Sequence, residues 1–212
     1  MGNFSGFAAL RLVVSGLACR RGEAVLFSGL GFEVGPGSLL VLRGANGAGK
    51  TTLLHTIAGL VRPEAGRMVF DGLDAEQRSG TALHLVGHQT GIKPRLTLTE
   101  NLEFWAALNG PGLGTGAALE AVGLADLGWL DAGHLSAGQS RRLALARLLV
   151  SRRPLWLLDE PTATLDSAGE ALVGKLLNAH LRQGGLAIAA THQALVLEAP
   201  LVATTLWLGE RP

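Results

Sequence analysis

Gly44-Ala45-Asn46-Gly47-Ala48-Gly49-Lys50-Thr51 fits the pattern G-x-x-x-x-G-K-[ST] and stands between two runs of different character. Leu39 to Leu42 before it is apolar and of strand length, whereas Leu53 to Leu60 after it is a longer apolar run that reads as helix. A strand that feeds a helix through a Gly-rich loop leaves the chain few folds to choose from. With so little side chain in the way, the loop N–H groups can converge on phosphate oxygens. The helix that follows turns its positive end to the same anion. Lys50 is placed to reach the β- and γ-phosphates of a nucleotide, and Thr51 to meet its magnesium. The candidate nucleotide site is therefore Gly44, Asn46, Gly47, Gly49, Lys50, Thr51 and Thr52.

Other apolar runs repeat the theme. Leu155 to Leu158 and Leu186 to Ala190 read as buried parallel strands, and Arg67 to Phe70 and Ala82 to Val86 as shorter ones. Strands alternating with helical stretches predict an α/β core. Two of these runs end in polar residues. Asp159-Glu160 follows one, and an acid there can hold Mg2+ while the next polarises the attacking water. Asp159 is thus the candidate metal residue and Glu160 the candidate general base. His192 follows another run and is the candidate partner of the γ-phosphate. Gln89 follows Ala82 to Val86, and its amide can touch both metal and water, with His88 beside it read as structural.

From about Arg95 to Gly133 no strand is apparent. Leu96-Thr97-Leu98-Thr99-Glu100 reads as a helix start with Thr97 or Thr99 as cap, and Gly110 to Gly116 as a break. The stretch is expected to be a helical insertion over about 93–140 within a single domain spanning 1–212. It ends at Leu135-Ser136-Ala137-Gly138-Gln139, ahead of the helical run Arg141 to Val150. Ser136 can be a plain helix N-cap. It can also, with the Gly138 N–H and Gln139, close on the γ-phosphate of a nucleotide held by a second copy of the chain. One residue can do both.

Composition narrows the partners. Lys and Arg total 18 against 17 for Asp and Glu, with no basic run that would track a nucleic-acid backbone, so nucleic acid is not an expected partner. Charged residues make up only 17 % of the 212. Either a partner covers part of the surface or a GC-rich genome has biased the composition. Cys19 is the single cysteine, so no intrachain disulfide can form. Neither a secretion signal nor a run near the ~20 apolar residues of a membrane span is apparent. The expectation is a cytosolic chain that reaches any membrane through another protein.

Lys50, Gln89, Leu135 to Gln139, Asp159-Glu160, Asp166 and His192 together resemble the ATP-binding cassette (ABC) ATPases, over nearly the whole chain and in family order. The resemblance implies a P-loop fold with a RecA-like core, an antiparallel β subdomain and an inserted helical subdomain. It also implies ATP and Mg2+ as cofactors, and two nucleotides sandwiched between two copies. Leu26-Phe27-Ser28-Gly29-Leu30, Gly87-His88-Gln89-Thr90-Gly91-Ile92-Lys93, Ala137 in the signature, Leu155 to Pro161 and Thr191-His192-Gln193 are similar to the ATPase subunits of cytochrome c maturation systems. That likeness implies work at the cytoplasmic face of a bacterial inner membrane, with a CcmB-type permease and the haem-handling CcmC and CcmD. ATP would then serve haem export or release of the haem-loaded chaperone CcmE. Subunits serving another transported substrate, and soluble ABC ATPases, are the alternatives. The chain departs from the family in two places. Cys19-Arg20-Arg21-Gly22 stands where an aromatic usually stacks on adenine, a task an Arg guanidinium can take. Thr164-Leu165-Asp166 lacks the Ser-Ala that often precedes the leucine.

Overall fold

The computed structural model of the protein describes residues 6–73, 82–110 and 112–209. Two sheets organise it. Strands β1 (Arg11–Arg21), β2 (Ala24–Val34) and β4 (Ala65–Asp71) form an antiparallel sheet in the order β2-β1-β4. Strands β3 (Ser38–Arg43), β5 (Leu83–Val86), β6 (Leu155–Asp159), β7 (Leu186–Ala190) and β8 (Val202–Trp207) form a parallel sheet in the order β5-β6-β7-β3-β8.

The central strands β6 and β7 are buried along their whole length, as parallel strands covered on both faces must be. Their side chains alternate between two cores. Leu39, Val41, Trp156, Leu158, Ala187 and Ala189 face the core built by the helices α2 (Leu98–Asn109), α3 (Thr115–Ala121), α4 (Ala137–Val150) and α5 (Ser167–Arg182). Leu40, Leu42, Leu155, Leu157, Leu186 and Ile188 face the core shared with α1 (Lys50–Ile57) and the antiparallel sheet.

The sheet register places the chemistry. Asp159 is level with Ala190, and Ala190 with Leu42, across β6, β7 and β3. The Gly-rich loop, Glu160 and His192 therefore leave the sheet side by side at the carboxyl ends of its strands. That edge is where open α/β sheets bind ligands.

The expected helix over Leu53 to Leu60 in fact begins at Lys50, inside the loop motif, and ends at Ile57, because Gly59 follows with a φ of 75° that stops it. Thr97, and not Thr99, caps α2 through a capping box with Glu100. The expected break is the link from Gly110 to Gly114, and Thr115 and Gly116 already belong to α3; Pro111 lies outside the described residues. Between α2 and α4 the described chain holds only α3 and the 3-10 turns Ala125–Leu127 and Ala132–His134, apart from one isolated bridge, Thr97 to Asp131.

Candidate functional site

The Gly-rich loop closes around its own lysine. Lys50 Nζ donates to the carbonyls of Gly44 at 2.8 Å and Ala45 at 3.1 Å, so the loop curls around the head of the side chain. Two glycines make the curl possible. Gly44 has a φ of 143°, and a Cβ there would meet Leu208 O at 2.4 Å; Gly49 caps α1 at a φ of 97° against Phe27.

Thr51 Oγ1 donates to Asp159 Oδ2 at 2.8 Å, which joins two of the three candidate metal residues directly; the third, Gln89, lies outside this contact. This hydroxyl and carboxylate are hard oxygen donors of the kind Mg2+ takes, one or two from the protein and the rest from phosphates and water. His192 Nε2 stands between two partners, 3.4 Å from Lys50 Nζ and 3.7 Å from Glu160 Oε1. Lys50 can only donate to it, whereas the Glu160 carboxylate can only accept, so the proton on Nε2 decides which contact forms.

A cleft of about 660 Å³ is lined by Arg20, Arg21, Leu26, Asn46, Gly47, Gly49, Lys50, Thr51, Thr52, His55, Val61, Asp159 and Glu160. That volume suits a nucleotide-sized ligand. Arg20 is paired with Glu64 at 3.2 Å. His55 and Val61 escaped the sequence reading. His55 had a signal, since it lies one helical turn after Thr51 on the same face of α1.

A second cleft, of about 430 Å³, is lined by Ser136, Gly138, Gln139, Arg142, Thr164, Leu165 and Asp166 with Gly123, Leu124 and Leu127, and shares no residue with the first. Ser136 caps α4. Its Oγ accepts from Gln139 N at 3.2 Å, while Gln139 Oε1 accepts from Ser136 N at 2.9 Å. The Ser136 hydroxyl hydrogen is left over to donate elsewhere. Asp166 caps α5 through Gly169 N at 2.8 Å and pairs with Arg142 at 3.2 Å. The Gly169 N–H is the main cause that holds its carboxyl below the usual range, with Arg142 adding to it. Arg142 is another residue the sequence reading passed over.

Gln89 is exposed in the loop after β5 and is not among the residues lining the first cleft. The loop itself is pinned on both sides of it. Arg141 Nη1 donates to Gly87 O at 2.8 Å, and Arg147 Nη1 donates to Thr90 O. Burial pulls the Arg147 guanidinium down to about 10 and lowers that of Arg141.

The fold thus presents a loop that wraps a lysine, a threonine bonded to a strand-end acid, and a separate capped signature. Residues 27–163 match the ABC transporter family model. The chain belongs to the ABC transporter family. As a member of it, this ATPase subunit binds and hydrolyses ATP. It is 52 % identical over 185 residues to the cytochrome c biogenesis ATP-binding export protein CcmA of Rhodopseudomonas palustris, covering 87 % of this chain and 92 % of that one. It is 49 % identical over 195 residues to the protein of the same name from Agrobacterium fabrum, with 88 % and 91 % covered. These identities place this ATPase subunit in the CcmA family. Among solved structures, an ABC transporter ATP-binding protein from Pyrococcus furiosus superposes with a TM-score of 0.77 at 22 % identity, covering 92 % of this chain and 96 % of that one. An ATP-binding cassette solved as a post-hydrolysis dimer with ADP and phosphate superposes at 0.74 and 24 % identity, with 86 % and 88 % covered. Both confirm the P-loop ABC fold. No helix among the described residues is long and apolar enough to cross a membrane.

Proposed function

We propose that the chain is the ATP-hydrolysing subunit of a membrane complex for cytochrome c maturation, working as an ATP sandwich of two copies. Identity of about half the residues to the CcmA export proteins supports the pathway. One observation carries the sandwich: Lys50, Asp159 and Glu160 lie on one cleft and Ser136, Gly138 and Asp166 on another. A single copy cannot bring both sets to one γ-phosphate, whereas two copies facing each other can.

In this reading the N–H groups of the Gly44 to Thr51 loop and the Lys50 ammonium hold the β- and γ-phosphates. Ser136 Oγ and Gly138 N of the second copy complete the shell. Thr51 and Asp159 would hold Mg2+, which would supply positive charge to offset that of the phosphates. Glu160 accepts a proton as water attacks the γ-phosphorus. The bond from that phosphorus to the bridging oxygen breaks, and ADP keeps the electron pair. His192 steadies the γ-phosphate. Loss of the bridge between the two copies then lets them part, because only a ligand with different affinity for closed and open states can drive the cycle. Arg20 or Arg21 serves as the face on which the base stacks.

The subunit is assigned to the cytoplasmic face of the bacterial inner membrane, docked on a CcmB-type permease with CcmC and CcmD. The exposed apolar side chains of Phe104, Leu108 and Trp129 in the helical insertion support such a docking face. Haem, exported or released on the chaperone, is the cargo. A haem stain of membrane proteins from cells carrying Lys50→Ala at the native locus tests this. Loss of covalent c-type cytochromes with b-type haem proteins intact is expected. Normal c-type cytochromes would remove the haem role and leave an ABC ATPase for another substrate.

A further inference from the structure

We infer that Arg141 is a positioning residue for hydrolysis: its guanidinium fixes the bend that aims Glu160 and ties that bend to the Gln89 loop and the signature helix. The inference rests on the reading of Glu160 as general base.

Arg141 sits in the first turns of α4, just past the Ser136 cap, and is only 4 % exposed. Its guanidinium bonds four main-chain carbonyls. Nη1 donates to Gly87 O at 2.8 Å, Nη2 to Asp159 O at 2.6 Å and also to Glu160 O, and Nε to Pro161 O at 3.2 Å. A buried cation is costly unless its donors are satisfied, and here one planar fork satisfies them on two separate stretches of chain, Gly87 and the bend Asp159 to Pro161.

The backbone it holds is strained. Glu160 has a φ of 47°, in the left-handed region that residues with a Cβ avoid. Such a conformation persists only where its surroundings over-determine it. On its amino side, Glu160 N donates to Ala190 O of β7 at 2.7 Å. On its carboxyl side, Glu160 O accepts from Ala163 N at 3.0 Å and from Arg141. Without Arg141 a single turn bond would hold that side of the bend, and the Asp159 and Pro161 carbonyls would lose their shared donor.

The same helix holds the Gln89 loop. Arg141 takes Gly87, and Arg147, whose guanidinium lies 3.7 Å over the Trp105 ring of α2, takes Thr90. A shift of α4 against the sheet must therefore pull on the Glu160 carbonyl and on both flanks of Gln89 together. The signature that meets the second copy and the acid that activates water share one rigid connector.

Arg141→Lys keeps the charge and loses the planar fork. The chain, purified with its membrane partner, would be assayed for kcat, KM for ATP and thermal transition. The same substitution would be assayed in a Glu160→Gln background. The expectation is a fall in kcat on the order of 10-fold or more, from a misaimed base. KM for ATP should stay within about twofold, because the phosphate loop is untouched. In the Glu160→Gln background Arg141→Lys should change the residual rate little. Millimolar guanidinium should restore part of the kcat of Arg141→Ala, which also serves if the lysine variant does not fold. An unchanged kcat would overturn the inference. So would losses of kcat, ATP affinity and thermal stability in parallel with no rescue by guanidinium. Failure of the underlying reading shows separately, as normal turnover in Glu160→Gln alone.

Discussion

At Glu160 a carboxylate 30 % exposed in its side chain faces His192 at 3.7 Å, open enough to meet water and close enough to be steered. Glu160→Gln keeps the shape and removes the proton acceptor. Turnover should fall by a factor on the order of 100 or more, while ATP now holds two copies together; size-exclusion chromatography with and without ATP reads both states. Two other side chains set a pH limit at the opposite end of the strands. His84 Nε2 lies 3.0 Å from both Ser151 O and Ser151 Oγ, and His180 stacks on Trp156 with ring centroids 3.9 Å apart. Burial is the main cause that pushes His84 down to about 4 and His180 to about 3, although each has a carbonyl partner that opposes the shift. Above pH 6.5 both are neutral folded or unfolded and contribute no pH dependence. Below it the unfolded chain takes up protons that the folded chain refuses. Stability should therefore fall with pH from 6.5 to about 4 for His84 and about 3 for His180. The slope is about 1.4 kcal/mol per pH unit for each histidine. Urea unfolding at several pH values would show the slope, and His84→Gln should remove one proton from it. An undiminished slope would mean that His84 is not the group involved.

At the scale of elements, α4 begins on a residue with two duties. Ser136→Ala removes the N-cap and should cost about 1 kcal/mol of stability. Ser136→Asp keeps an equally good cap but sets a carboxylate where the γ-phosphate is proposed to sit. It should melt close to the native chain and yet fail to dimerise with ATP, so a melting curve beside a sedimentation run separates cap from ligand. Elements with a strong pattern were legible in the sequence. Leu155 to Leu158 is apolar throughout because both sheet faces are covered, and Asp159-Glu160 mark where the run ends. Strands β1, β2 and β8 were not. β1 carries Gly16 at a φ of 63° and register shifts around it, which break its alternation, and β8 is an edge strand with Val202 to Thr205 exposed. The expectations for Lys50 and Asp159 rest on their own chemistry, and the fold brings both to one cleft. Arg141 was not legible, because its partners are backbone carbonyls, and these carry no mark in a sequence.

In the proposed sandwich the whole molecule is half of a site twice over. Its phosphate cleft lacks the signature, and its signature cleft lacks the phosphate loop. This division makes a prediction about mixtures that no single-chain mechanism makes. Lys50→Ala has a dead loop and a sound signature, whereas Ser136→Asp has a sound loop and a dead signature. Pairs of either variant alone hold two broken composite sites. In a mixed pair, the loop of the Ser136→Asp chain meets the signature of the Lys50→Ala chain, which restores one complete site and leaves the other doubly broken. Each variant alone should remain monomeric with ATP. An equimolar mixture should form pairs carrying one nucleotide for every two chains, readable by native mass spectrometry. Placing Glu160→Gln in the Ser136→Asp chain should stabilise those pairs, because the intact site then holds its ATP; in the Lys50→Ala chain it should do nothing. If the mixture stays monomeric under conditions where Glu160→Gln alone dimerises, the two clefts do not meet across a pair, and Ser136 is a helix cap and no more.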